Sequence, residues 1–273
     1  MSAVSFAVTA APPLKMHIYE QKPKVASQQG HRALAAVHHD EPLVTYNGVD
    51  FYIGAAVRRD KLFDQKFHSN QLAAELTVHL PNTWFIASRA SYGEINSGRV
   101  IDGGDLFDAS ISFGKVLARQ SPFSAFDRVE WRPQLGYSYH EQDVDLYQKS
   151  ASARTKWHGP WLGYGGRLIS EADFIIGMDL FYQYAFFDGD ERALSNALDV
   201  DSVEIRDNLK GHGVGSSIYA GWQVSSNFTL KLDLNYRYFK VNNAATVENV
   251  GGEFDFDAKW KSYAAELGLE YQF

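Results

Sequence analysis

From residue 49 onward the chain alternates apolar and polar side chains with a period of two. Successive side chains of a strand point to opposite faces, so each such run predicts a β-strand with one apolar face. The sharpest run is Phe174, Ile176, Met178, Leu180, Tyr182, Tyr184 and Phe186. Another sets Phe228, Leu230, Leu232, Leu234, Tyr236 and Tyr238 against Lys231, Asp233, Asn235 and Arg237. A terminal run over 261–273 places Tyr263, Leu267, Leu269, Tyr271 and Phe273 on one face and Ser262, Glu266, Gly268, Glu270 and Gln272 on the other. Further runs over 49–57, 70–80, 84–93, 105–117, 129–140, 157–169 and 214–224 bring the number of expected strands to ten.

The connections alternate in length. Pro81–Thr83, Ser170–Asp173 and Ser225–Asn227 read as tight turns, 118–128 is intermediate, and polar loops are expected near 58–69, 94–104, 141–156, 187–213 and 240–259. Short turns on one side and long loops on the other are the pattern of an outer-membrane barrel. The aromatics agree. Trp84, Trp131, Phe174, Trp222, Phe228, Tyr271 and Phe273 fall at turn-side ends, whereas Tyr92, Tyr137, Tyr139, Tyr182, Tyr184, Tyr236, Tyr238 and Tyr263 fall toward the loops. Two aromatic girdles on an apolar face match the two membrane interfaces. The expected fold is therefore all-β: a transmembrane antiparallel up-and-down β-barrel of about ten strands in the bacterial outer membrane. One irregularity stands out: Phe254, Phe256 and Trp260 have the opposite parity to Tyr263–Phe273. Either a bulge near Lys259–Ser262 or a hairpin standing above the membrane would account for it.

Composition narrows the partners. No stretch approaches the roughly 20 apolar residues of a membrane helix, while the mean hydropathy of −0.30 is compatible with a wall that is only half apolar. A net charge of −7 argues against nucleic acid as the main partner. With no cysteine there is neither a disulfide framework nor a thiolate metal site. His17, His31, His38 and His39 lack a paired spacing on any defined element, so no metal or other cofactor is expected. Residues 1–11 (MSAVSFAVTAA) read as a signal-peptide remnant, 12–48 as a polar periplasmic segment, and 49–273 as the barrel. Outer-membrane lipid and lipopolysaccharide follow as the surroundings. Glu266, Gly268, Tyr271 and Phe273 have the spacing of a C-terminal signal for the barrel-assembly machinery.

The strand count, the loop lengths and the run GPWLGYGGRLISEADFIIGMDLFYQYAFFDGDERA over 159–193 resemble the omptins, ten-stranded outer-membrane proteases with an extracellular active site. The resemblance implies an Asp–His couple facing a pair of aspartates across the barrel mouth. The positions matching the family's Asp-x-Asp-x-His are Asp188, Asp190 and Arg192, so arginine stands where that family has histidine. The nearest match to the opposing aspartates is Asp102 and Asp105, which flank Gly103-Gly104 and converge only if the glycines form a bulge. Arginine keeps its proton near neutral pH and cannot act as a general base. The leading expectation is accordingly non-catalytic: a membrane scaffold or small pore presenting acidic loops outside the cell. The rivals are a surface endopeptidase of omptin type and an adhesin or ligand-binding barrel working through 187–213 and 240–259. On the inner face, Glu75, Arg89, Arg132, Lys231, Asp233 and Glu266 mix both signs, as expected where a narrow lumen is filled by neutralising pairs.

Overall fold

A computed structural model describes residues 48–62, 65–96, 101–146, 151–170, 174–189, 202–205, 209–249 and 252–273. Twelve strands follow one another: β1 Gly48–Leu62, β2 Gln65–His79, β3 Trp84–Asn96, β4 Ile101–Lys115, β5 Leu117–Gln120, β6 Arg128–Leu146, β7 Ala151–Ile169, β8 Phe174–Gly189, β9 Ser202–Ile205, β10 Leu209–Ser225, β11 Phe228–Asn249 and β12 Gly252–Gln272. Ten of them form the wall. Each pairs antiparallel with its neighbours, and β1 closes on β12, so the sheet has no free edge at its seam. Closure satisfies backbone groups that hydrocarbon could not. The short β5 continues beyond β4 along β6, and β9 adds to the upper end of β11.

The alternation read from the sequence sets the two faces. Leu72 and Leu162 point outward and are 68% and 66% exposed, whereas Phe85 on the inner parity is fully buried. The turn-side girdle includes Trp84 stacked on Phe113 at 4.8 Å and Phe228 against Tyr271 at 4.7 Å. At the opposite end, Tyr236 meets Tyr263 at 5.0 Å. The chain terminus is tied in through Phe273 N–H to the Val49 carbonyl at 3.0 Å.

The strands run longer than the alternation indicated. β1 extends to Leu62 and β2 begins at Gln65, so most of the loop expected over 58–69 is paired strand. β6 and β7 likewise stay paired through Leu146 and Ala151. A tilted strand crosses a bilayer in about 9–11 residues; above that height the outward face is wet while inward Leu62, Phe67 and Ile95 stay buried, so pairing continues without a lipid-facing apolar stripe. β11 and β12, of 22 and 21 residues, rise furthest. Their register shifts between Val241 and Ala245, on β11, whereas β12 is regular through Lys259–Ser262. Of the two alternatives, the bulge near Lys259–Ser262 is therefore absent. The backbone of Phe254 and Phe256 belongs to the projecting hairpin, and Trp260 turns into the lumen, where it is fully buried.

Candidate functional site

The inner parity of the wall carries the chemistry. Near the turn side, Arg89 donates to Glu266 at 2.5 Å and to Glu75 at 3.3 Å, and lies 5.7 Å over the Tyr52 ring. Lys231 sits over the Tyr52 and Tyr219 rings at 5.4 and 4.6 Å. Glu130, fully buried, is held by Arg167 at 2.5 Å and Arg128 at 2.9 Å. Tyr52 has room because Gly54 and Gly268 face each other beneath it; a Cβ on either would lie within 2.4 Å of the ring or its hydroxyl.

A second network closes the extracellular half. Asp108 is its hub. One carboxylate oxygen accepts from Arg58 at 2.6 Å and Ser91 at 3.3 Å, the other from His140 Nδ1 at 2.6 Å and Arg237 at 3.3 Å. Arg58 also reaches Asp60 at 3.0 Å, and Asp60 accepts the indole N–H of Trp260 at 2.8 Å. Gln142 Nε2 lies 2.7 Å from His140 Nε2. His140 stacks on Trp260 at 3.9 Å, and Phe239, Trp157 and Phe187 extend the layer at 4.6–5.7 Å between successive rings. Between the two networks is a cavity of about 220 Å³ lined by Arg132, Asp179, Lys231, Asp233, Asp108 and Arg237, among others.

His140 and Asp108 form an oriented imidazole–carboxylate couple, as general bases require. Its outer nitrogen is occupied by Gln142, however, and the histidine is 4% exposed. Among the described residues no hydroxyl or thiol is hydrogen-bonded to that nitrogen. The arrangement holds charge inside a packed barrel.

The residues singled out by sequence are elsewhere. Asp105 lies on the outward face, exposed, and accepts from Tyr92 at 2.6 Å. Asp102 is the extra residue of a register shift between Ile101 and Gly103, so a bulge does form beside the glycines. Gly104 there has φ +135, and a Cβ would strike the Asp143 carbonyl. Asp188, also of outward parity, lies 3.2 Å from His158 Nε2, while His158 Nδ1 meets the Tyr137 hydroxyl at 2.7 Å. β6 and β7 separate the strands that carry Asp105 and Asp188. Asp190 and Arg192 lie outside the described residues. Nearby on the outer surface, Arg154 pairs with Glu141 at 3.1 Å and Asp143 at 2.9 Å, and the Asp143 carboxylate holds its guanidinium above its ordinary value.

Sequence reasoning missed Asp60, Arg58, Asp108 and the role of Trp260. Parity alone places Arg58 and Asp60 inward, since they continue Tyr52, Gly54 and Ala56; Asp108 alternates with the outward Phe107 and Ala109. His158 was missed because nothing in the sequence joins it to Asp188.

A family model described as Protochlamydia outer membrane protein matches residues 102–273. None of the curated proteins compared with the chain matches it. Among solved structures, Neisserial surface protein A is 12% identical with a TM-score of 0.40, covering 82% of this chain and 97% of its own. The translocator domain of the autotransporter NalP from Neisseria meningitidis is 11% identical with a TM-score of 0.43, covering 84% and 90%. The attachment invasion locus protein Ail of Yersinia pestis is 14% identical with a TM-score of 0.33, covering 84% and 100%.

Proposed function

Because the chain belongs to the Protochlamydia outer membrane protein family, we propose that it is a non-catalytic outer-membrane barrel, a scaffold that holds its extracellular strand extensions in place above a closed lumen. One observation carries this reading: two side-chain networks cross the lumen, Arg89–Glu266–Glu75 below and the Asp108-centred network with its layer of four large aromatic rings above, with a cavity of about 220 Å³ between them. Barrels of about eight strands have just enough interior for side chains, and aqueous channels open at about 16. Purified protein in planar bilayers is expected to give no large, steady currents, and such currents would overturn the scaffold reading.

A small pore is the second reading, supported by the cavity of about 220 Å³ and its lining of both charge signs. On that reading the aromatic layer is the barrier, and Trp260→Gly raises a faint conductance. An omptin-type endopeptidase receives less support, because the carboxylates of Asp105 and Asp188 are engaged by Tyr92 and His158 on the outward face. For partners, we take lipopolysaccharide as the surrounding lipid and retain Glu266, Gly268, Tyr271 and Phe273 as the signal for the assembly machinery. In the folded barrel Glu266 and Gly268 also have structural duties, the first toward Arg89 and the second beneath Tyr52.

A further inference from the structure

We propose that the projecting part of β12 is a docking edge for an extended cationic polypeptide, which adds to the sheet as a further strand. The proposal rests on the scaffold reading for its setting, outside the cell above a closed lumen.

The backbone provides the first observation. β1 follows β12 only as far as Leu62, opposite Trp260. Beyond that pair β12 continues to Gly252, held on its other side by β11 as far as Asn249. Among the described residues no strand pairs with the β1-side edge of β12 over 252–259. A strand stretch of that length spans about 26 Å. Unpaired N–H and C=O groups along such an edge are a template for another chain, and main-chain bonds supply the affinity of strand addition. The opposite margin of the projecting sheet is shorter, because β9 pairs with β11 over only Ser202–Ile205.

Charge provides the second observation, and it selects the occupant. Residues 202–205, 241–249 and 252–259 contain five carboxylates, Glu204, Glu248, Glu253, Asp255 and Asp257, and one cation, Lys259. Glu248 stands directly opposite Glu253 in the register. Lys240 and Lys259 reach Asp257 at 3.4 and 3.3 Å.

A free edge commonly recruits a second copy of its own chain. Antiparallel pairing of two copies about Asp255 would set Asp255 opposite Asp255 and Glu253 opposite Asp257, and like charges directly opposite are destabilising. A strand with lysine or arginine at alternate positions meets the same carboxylates favourably. Glu253, Asp255 and Asp257 alternate with Phe254, Phe256 and Ala258. A partner that alternates cationic with apolar residues therefore matches both faces of the edge.

Fluorescence anisotropy with the full chain in detergent micelles tests this, using a labelled eight-residue peptide of alternating lysine and valine. A peptide of Lys-Pro repeats keeps the charge but cannot join a ladder. The Lys-Val peptide should bind at least about tenfold tighter than Lys-Pro, from the main-chain bonds that proline forfeits. Glu253→Gln with Asp255→Gln should weaken Lys-Val binding about fivefold, the effect of two exposed ion pairs. Glu94→Gln, on the outward face of β3, should leave it unchanged. Glu253→Lys with Asp255→Lys should turn the preference toward Glu-Val repeats, while heat-modifiable migration shows the barrel intact. Equal binding of Lys-Val and Lys-Pro, or full binding by the glutamine double variant, would overturn the proposal. So would a wild-type dimer that the Lys-Val peptide dissociates, which would assign the edge to a second copy. Planar-bilayer currents test the scaffold reading without the peptide, so the two fail separately.

Discussion

Asp108→Asn is the substitution that weighs the buried network most directly. Asp108 accepts two charge-assisted bonds at 2.6 Å, from Arg58 and His140, with Arg237 and Ser91 at 3.3 Å. Counting Arg58, Arg237, Asp60 and Asp108, the cluster is neutral, two positive and two negative; the substitution leaves two positive and one negative. Asparagine keeps the volume but turns an amide N–H toward one of the donors. The Arg58 and Asp60 side chains are 3% and 0% exposed, so water cannot replace the lost carboxylate. Removing one partner of a buried pair costs about 3–5 kcal/mol. Asp60 still holds Arg58 and the adjoining cavity admits some solvation, which places the expected loss near the lower end, about 3 kcal/mol. The comparison is Asp143→Asn, whose partner Arg154 has a side chain 52% exposed; exposed pairs contribute about 0–1 kcal/mol. Urea unfolding from lipid vesicles, followed by tryptophan emission with Trp260 inside the network, measures both. Losses within about 0.5 kcal/mol of each other would refute the claim that burial makes this cluster structural.

Three further outcomes follow from the same arrangement of side chains. Leu232→Arg, on the lipid face, should cost about 2–4 kcal/mol in the same unfolding assay, whereas inward Asn235→Ser should be mild. Gly268→Ala should cost about 1–3 kcal/mol, because its Cβ would lie 2.4 Å from the Tyr52 ring, and Tyr52→Leu in the same chain should recover part of the loss. Refolded protein with lipopolysaccharide should not cleave basic peptides, and Arg192→His alone should restore nothing; cleavage by the wild type that Asp188→Ala abolishes would bring back the endopeptidase.

The faces of the ten wall strands were legible because hydrocarbon demands one apolar side, and runs such as Phe228–Tyr238 record that demand in every second residue. The strand tops were not. Above the bilayer Arg58–Leu62 and Gln65–Ser69 keep their pairing through backbone bonds, which leave no trace in side-chain polarity. Trp260 broke the parity for a reason that local pattern cannot distinguish from a bulge: it is an aromatic on the polar side of its strand, stacked on His140 inside the lumen. The Asp108 network was illegible as a unit since its members lie far apart in sequence; Asp60 and Trp260 are 200 residues apart, Arg58 and Asp108 50. Single positions revealed their facing, but no pattern revealed their partners. Of the candidate site, convergence of Asp102 and Asp105 was made conditional on a bulge at Gly103-Gly104; the register shifts between Ile101 and Gly103, while Asp105 and Asp188 take outward parity.

Cysteine scanning along β11 tests the central claim, a closed barrel with a packed lumen, because the chain contains no cysteine of its own. Each residue from Phe228 to Phe239 is replaced singly, the protein is reconstituted in vesicles, and labelling by a membrane-impermeant maleimide is followed over time. Even positions from Leu230 to Leu234 should be shielded by lipid, and a lipid-soluble maleimide should label them readily. Phe239, 3% exposed, should resist both reagents, and the odd positions from Lys231 to Arg237, which line the enclosed cavity, should label only slowly with the impermeant one. Rapid labelling of the odd positions by the impermeant reagent would mean an open channel, and labelling with the parities exchanged would mean that the wall has been read inside out.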